Sequence, residues 1–170
     1  MKLTLIVFLI GLIFLACSSP GKKDRISDDQ MAIRLSDALN KGILDVWYPR
    51  TIDSIYGGFL SDFDYQWEMK GAQNKMIVTQ SRHVWTCSTV AESDPKKKDY
   101  FLKIASHGFQ FLKTKMWDSE NGGFFNLVDR EGKVLKSGQT GRVIKEAYGN
   151  AFGIYALATY ARVSNDTSTL

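Results

Sequence analysis

Arg82 is the residue of this chain whose type and setting point most directly to chemistry. It is the only formally charged side chain in the run Met76–Ala91, MIVTQSRHVWTCSTVA. A helix with so little charge has no obvious water face and is expected to be surrounded by protein. An unpaired charge in such a place costs several kcal/mol, so the guanidinium must meet a carboxylate or a polar ligand. One reading makes Arg82 the lining of an internal polar site. An arginine that snorkels to the helix end, or that pairs with a structural carboxylate, explains the same residues. The aromatic run Tyr56, Phe59, Phe63, Tyr65 and Trp67 offers flat faces that could stack on sugar rings, although packing over a helix end is the commoner role. His107 shares a helix face with Asp99, Lys103, Gln110 and Thr114 and is expected to face solvent. Cys87 reads as a small buried hydrophobe.

These residues need elements to hold them. Met31, Leu35, Ala38, Leu39, Gly42 and Val46 recur at helical spacing opposite Arg34, Asp37, Lys41 and Asp45, which predicts an amphipathic, half-exposed helix from about Asp28 to Trp47. Its first turn is acidic, as the helix dipole prefers. Pro49 helps to end it. After the aromatic loop comes the uncharged helix with Arg82, then a second amphipathic helix over about Lys97–Trp117, whose apolar stripe is Phe101, Ile104, Ala105, Gly108, Phe111 and Leu112. A short strand pair turning at Asp129–Gly132 follows. A last helix over about Lys145–Arg162 contains the uncharged stretch YGNAFGIYALATYA and is expected to be enclosed as well.

The alternation of amphipathic and uncharged helices coincides with a repeat. Asp53, Ser54, Gly57, Gly58 and Phe59 match Asp118, Ser119, Gly122, Gly123 and Phe124 at an offset of 65 residues. The repeating unit is an outer helix, a glycine-containing turn and an inner helix. Hairpins of this kind set in a ring give a barrel of inner helices within outer ones, with a cavity lined from the inner-helix ends.

The 170 residues suffice for one sizeable core, with 44% hydrophobic and 24% charged residues and three prolines, so disorder is not expected. The net charge of +4 contains one dense basic cluster after the leader, Lys96–Lys98, which suits a solvated helix end. A nucleic-acid surface would need a basic face interleaved with aromatics, so none is expected. Lys2 followed by the apolar run Leu3–Ala16 is too short to span a bilayer as a helix and reads as a signal peptide over residues 1–16. Its end, Phe14-Leu15-Ala16-Cys17-Ser18-Ser19, resembles a bacterial lipoprotein signal with Cys17 as the lipidated residue; an ordinary secretory leader cut nearby is the alternative. Either way the expected location is outside the cytoplasm, in the cell envelope and on a membrane if Cys17 carries lipid. Residues 17–27 then read as a flexible tether, and residues 28–170 as the folded part.

The segments YGGFLSDFD, NKMIVTQSRHVWTCS, MWDSENGGFFNLVDREG and AYGNAFGIYALATYAR resemble the N-acylglucosamine 2-epimerase family, which includes cellobiose 2-epimerases and related sugar isomerases. The resemblance runs from about Ser27 to the end of the chain. It implies an all-α (α/α)6 barrel, represented here by two helical hairpins with short β-strand loops. It also implies a mono- or oligosaccharide substrate whose C2 proton is moved through an enediolate, with no metal or cofactor required. Histidine suits that task because one group must accept and return a proton near neutral pH. By position, Arg82 is similar to the family's inner-helix arginine that holds sugar oxygens and stabilises the enediolate. Tyr148 and Asn150 are expected to face the cavity, and Trp85 to offer a stacking wall or to pack in the core. His83 and His107 do not match the family's catalytic histidines, which lie on later hairpins. The chain therefore reads as an N-terminal part with no catalytic residue of its own. A hydrolase or lyase on the same barrel, working with paired carboxylates, and a non-catalytic carbohydrate-binding lipoprotein are the competing readings.

Overall fold

The structure, a computed structural model, describes residues 26–166. The signal peptide, Cys17 and most of the expected tether lie outside the described residues. The chain divides into two compact units, Met1–Leu44 and Asp45–Leu170. No helix among the described residues is long and apolar enough to cross a membrane.

In the first unit α1 spans Asp28–Asp37, and the side chain of its N-cap, Ser27, accepts a hydrogen bond from the Gln30 amide. The backbone then widens into a π-helical stretch, Ala38–Leu44, around Gly42. A glycine weakens an α-helix interior by about 1 kcal/mol, which favours such a departure from regular winding. The expected half-buried stripe is not found: no residue of α1 is buried, and Met31, Leu35 and Leu39 all stand exposed.

The second unit begins with α2, Asp45–Arg50, kinked at Tyr48 because the residue before a proline avoids helical backbone. After a loop come β1 (Lys75–Met76) and α3 (Ile77–Ser93). Next are α4 (Lys98–Phe111), extended by π-helical turns over Leu112–Met116, then β2 (Leu127–Val128) and α5 (Ala147–Ser164). Strands β1 and β2 pair antiparallel, Lys75 with Val128 and Met76 with Leu127, which ties the two hairpins together. The expected turn at Asp129–Gly132 is present, closed by the Gly132 amide on the Asp129 carbonyl. Helix α3 packs against both α4 and α5 around a core that includes Phe59, Val84, Cys87, Phe109 and Ala156. Gly108 permits the close approach of α4, since a Cβ there would lie 2.4 Å from Phe59 and 2.7 Å from Val84.

Among the described residues neither uncharged helix is enclosed on all sides. Arg82 is exposed and Trp85 half-buried on α3, while Tyr148, Ile154 and Tyr155 are exposed on α5. Lack of charge marks these helices as inner elements, but each has one face covered by its neighbours and one left open.

The repeated loops are built alike. The Asp53 carboxylate accepts from the Ile55 and Tyr56 amides, and Asp118 accepts from those of Glu120 and Asn121. The Gly57 and Gly122 amides donate back to the Asp53 and Asp118 carbonyls, with positive φ at both glycine pairs. A lysine then locks each loop. Lys75 Nζ donates to Asp53 Oδ2 at 2.9 Å and to the Gly57 carbonyl, and Lys145 Nζ donates to Asp118 and to the Gly122 carbonyl. The Asp53 and Lys75 side chains are fully buried, and Arg130 closes on the same carboxylate from the second hairpin, Nε at 3.0 Å and Nη2 at 3.2 Å. Burial works to raise the pKa of Asp53, but the hydrogen bonds from Arg130 and Lys75 outweigh it and hold the carboxyl at about 2.

A group whose pKa is depressed by folding contributes stability above its unfolded value and loses it as pH falls through the folded one. Asp53→Asn is expected to cost about 3–5 kcal/mol at neutral pH, because the buried Lys75 ammonium loses its counter-charge. In urea melts of the two proteins that difference should shrink from about pH 4 downward and be smallest below pH 2, where Asp53 is protonated in the folded protein as well.

Candidate functional site

Helices α3 and α5 run side by side with their N-termini at the same end: the Ile77 amide donates to the Asn126 carbonyl, and Gly149 seats its backbone against Ile77, where a Cβ would come within 2.5 Å. Each helix is keyed to its loop by one amide side chain. Gln80 Oε1 accepts from the Phe59 amide at 2.8 Å and Gln80 Nε2 donates to the Phe59 carbonyl at 2.7 Å. Asn150 repeats this on the second loop, Oδ1 accepting from the Phe124 amide at 2.7 Å and Nδ2 donating to the Glu146 carbonyl at 2.9 Å and, more weakly, to that of Phe124 at 3.5 Å. Asn150 was expected to face a cavity; its amide is taken up by the loop backbone. Gln80 and Asn150 set the rotation of the helices on which Arg82 and Tyr148 sit two residues away.

That rotation turns one polar and aromatic face outward. Arg82 stands exposed with no hydrogen bond or ion pair among the described residues. One turn on, Trp85 stacks on Tyr155, centroids 5.5 Å apart and planes at 28°. Tyr148 is 65% exposed and meets Phe152 edge-on at 5.0 Å. The structure thus brings Arg82, Trp85 and Tyr148 onto the open side of one helix pair and adds Tyr155. Among the described residues Arg82 pairs with no structural carboxylate, and the polar face it occupies is open, so its charge is solvated. A guanidinium beside flat aromatic faces and a phenol can hold oxygens and stack a ring, and its fixed positive charge favours an anionic oxygen.

Neither histidine belongs to this face. His83 is buried, stacked on Phe59 at 4.4 Å, with its Nδ1 2.9 Å from the Tyr48 hydroxyl. Burial, and secondarily the charge of Arg82, push its pKa down to about 4, so it is neutral at physiological pH. Cys87, fully buried on the same helix, is pushed up to about 12 by burial, which fits a core role. His107 is not the solvent-facing residue its neighbours imply: it is half-buried and its Nε2–H donates to the Gly58 carbonyl at 3.0 Å. Of the aromatic run, Phe59 is core, Trp67 packs edge-on against Trp47 at 5.4 Å, and Tyr65 alone projects almost fully into solvent.

Sequence reading overlooked Lys75, Lys145, Gln80 and Tyr155. The signal was present: beyond the loops the repeat continues at an offset of 70, pairing Lys75 with Lys145, Gln80 with Asn150 and Trp85 with Tyr155. Apart from the two lysines the paired residues are not identical, and it is their shared hydrogen-bonding or aromatic character that reveals the match.

Gln80→Leu should leave the Phe59 amide and carbonyl buried without partners, at about 1–3 kcal/mol for each. Asn150→Leu should cost less, since Asn150 is only part-buried. Denaturant melts of both variants measure the ordering; equal stability of all three proteins would remove the amide clamp from the account.

Residues 57–169 match the family described as N-acylglucosamine 2-epimerase (GlcNAc 2-epimerase). The chain is 30% identical over 140 residues to a cellobiose 2-epimerase of Ruminococcus albus, an alignment covering 82% of this chain and 34% of that protein. It is 28% identical over 132 residues to the cellobiose 2-epimerase of Dictyoglomus turgidum, covering 78% and 32%. Among solved structures, a sugar epimerase from a ruminal bacterium superposes with a TM-score of 0.73 at 29% identity, and the cellobiose 2-epimerase of Spirochaeta thermophila with 0.71 at 30%. These cover 82% and 83% of this chain and 33% of each structure. The helical hairpins thus have the (α/α)6 fold, and the chain spans about a third of the length of the curated relatives it matches.

Proposed function

Because the chain belongs to the N-acylglucosamine 2-epimerase family, we propose that it forms part of the sugar-binding wall of a sugar 2-epimerase or isomerase, with a mono- or oligosaccharide as substrate. The observation that carries this reading is the open face on which unpaired Arg82 adjoins the Trp85–Tyr155 stack and Tyr148. On this reading the aromatic faces seat the sugar ring. Arg82 meets the oxygen that becomes negative when the C2 proton leaves, so its interaction strengthens in the enediolate. The base that takes and returns the proton comes from hairpins outside the described residues, since His83 is buried and neutral and His107 is held by Gly58. This segment by itself binds and polarises but does not exchange the proton. Acid chemistry of the hydrolase type has no support on this face: Asp53 and Asp118 are committed to Lys75 and Lys145.

Arg82→Ala is expected to lower kcat and kcat/KM together by about 100-fold or more in a barrel assembled from this segment and the remaining hairpins of a relative, with little change in KM. Having no ion-pair partner, Arg82 should leave the melting free energy within about 0.5 kcal/mol when removed. A strongly destabilised variant with normal turnover would make Arg82 a structural residue and refute the assignment.

The leader supports a second part of the reading: export to a bacterial envelope, residues 1–16 as signal peptide, and anchoring through lipid on Cys17, with residues 17–27 as tether to the folded part. Detergent phase partition of the full chain should place the expressed protein in the detergent phase and Cys17→Ala in the aqueous phase. Equal aqueous partition would dismiss the anchor.

A further inference from the structure

Asn121 and Gly122 form the only Asn-Gly pair of the chain; every other asparagine, from Asn40 to Asn165, is followed by a residue with a side chain. The pair lies in the second double-glycine loop, with Asn121 exposed. At the same place the first loop has Tyr56 and Gly57, so the two loops agree in backbone and differ in chemistry. Tyr56 stays 40% exposed although Arg130 lies over its ring at 5.4 Å, so this position faces water even in a loop on which its neighbours have closed.

An asparagine amide before a glycine can react with its own backbone. The Gly122 nitrogen, once its proton has passed to water or hydroxide, attacks Asn121 Cγ. The new C–N bond closes a succinimide, the Cγ–Nδ2 bond breaks, and the amide nitrogen leaves as ammonia. Water then opens either C–N bond of the imide to give aspartate or isoaspartate, so water is consumed and ammonia released in equal amounts. Glycine favours the attack because it has no Cβ to block the approach and takes up the turn that the ring demands. A Cβ at Gly122 would meet nothing within 4 Å, so that side of the backbone is open.

The folded loop holds the reaction back. The Gly122 amide donates to the Asp118 carbonyl at 2.9 Å, while Asn121 Nδ2 and the Asn121 amide donate to Asp118 Oδ2 and Oδ1 at 3.2 and 3.1 Å. Lys145 Nζ donates to the same carboxylate and, at 2.6 Å, to the Gly122 carbonyl, and it sits 5.2 Å from the Phe125 ring centroid. Nucleophile and electrophile are thus both tied to Asp118, and the conformer that reacts is the loop with these bonds open.

We propose that Asn121 is a site of spontaneous deamidation and isomerisation whose rate is set by how often the Asp118–Lys145 lock opens. The product weakens the lock in turn. It adds a carboxylate beside Asp118 that competes for the Lys145 ammonium, and the isoaspartyl form lengthens the backbone ahead of Gly122 and displaces its amide from the Asp118 carbonyl. Conversion therefore loosens the loop on which Asn150 grips Phe124. The proposal does not rest on the sugar reading, since it needs only the loop and water.

The full chain, its Lys145→Met variant and a synthetic peptide of residues 116–130 are held in mildly alkaline buffer and sampled by tryptic mass spectrometry, with fragmentation separating Asn121 from Asn126. The peptide should convert fastest, and the folded chain should convert at Asn121 about 10- to 100-fold more slowly, with Lys145→Met between them. Urea below the unfolding transition should speed conversion of the unaltered chain, which tests the lock without a substitution if Lys145→Met fails to fold. A folded chain that stays unconverted at Asn121, in urea as without it, overturns the proposal, and so does conversion of Asn126 ahead of Asn121. Equal rates in the folded chain and the peptide would show that the lock does not govern the reaction and would refute it as well.

Discussion

Everything in the second unit hangs on the lysine that locks each double-glycine loop. A loop with two successive left-handed glycines has no regular ladder to satisfy its backbone, and the carbonyl of the first glycine points inward. Lys75 and Lys145 answer this need by giving one ammonium to that carbonyl and to the aspartate whose carboxylate already gathers the loop amides. Lys145 beside Asp118 holds its carboxyl well below the usual carboxylate range, as Lys75 and Arg130 do for Asp53. A charge pair in the interior is weak as a source of stability but strong as a constraint, because every misplacement leaves a charge unpaired. The loops are therefore rigid platforms rather than flexible connections.

From these platforms the site follows. Phe59 and Phe124 leave the loops as extended backbone whose polar groups are gripped by Gln80 and Asn150. The grip sets the rotation of α3 and α5, and rotation decides which residues of an uncharged helix look outward. Arg82, Trp85, Tyr148 and Tyr155 are presented by a rigid chain of contacts, which is what recognition of a polar ring requires.

The two hairpins are copies in different surroundings. Val84 and Ile154 occupy equivalent positions, yet one is wholly buried and the other open. The same contrast separates the fully buried Asp53–Lys75 pair from the Asp118–Lys145 pair, whose side chains keep 10% and 26% of their exposure. Equivalent residues thus report how far neighbouring elements, rather than local sequence, decide burial and electrostatics.

Much of this was legible in the chain itself. Helical spacing located the outer helices, the absence of charge marked the inner ones, and the double-glycine motif at an offset of 65 exposed the repeat and with it the hairpin plan. Local pattern suffices there because periodicity and turn chemistry act over a few residues. The tertiary structure decided what depends on distant partners. A lysine among polar loop residues gave no sign that it would be fully buried against Asp53, because the arginine that completes the cluster lies 77 residues from that aspartate. His107 belonged by spacing to a solvated face until the Gly58 carbonyl met it from 49 residues away. Arg82 kept its charge in water because no element among the described residues covers that side of α3, and a sequence states the chemistry of a helix face without stating what stands opposite.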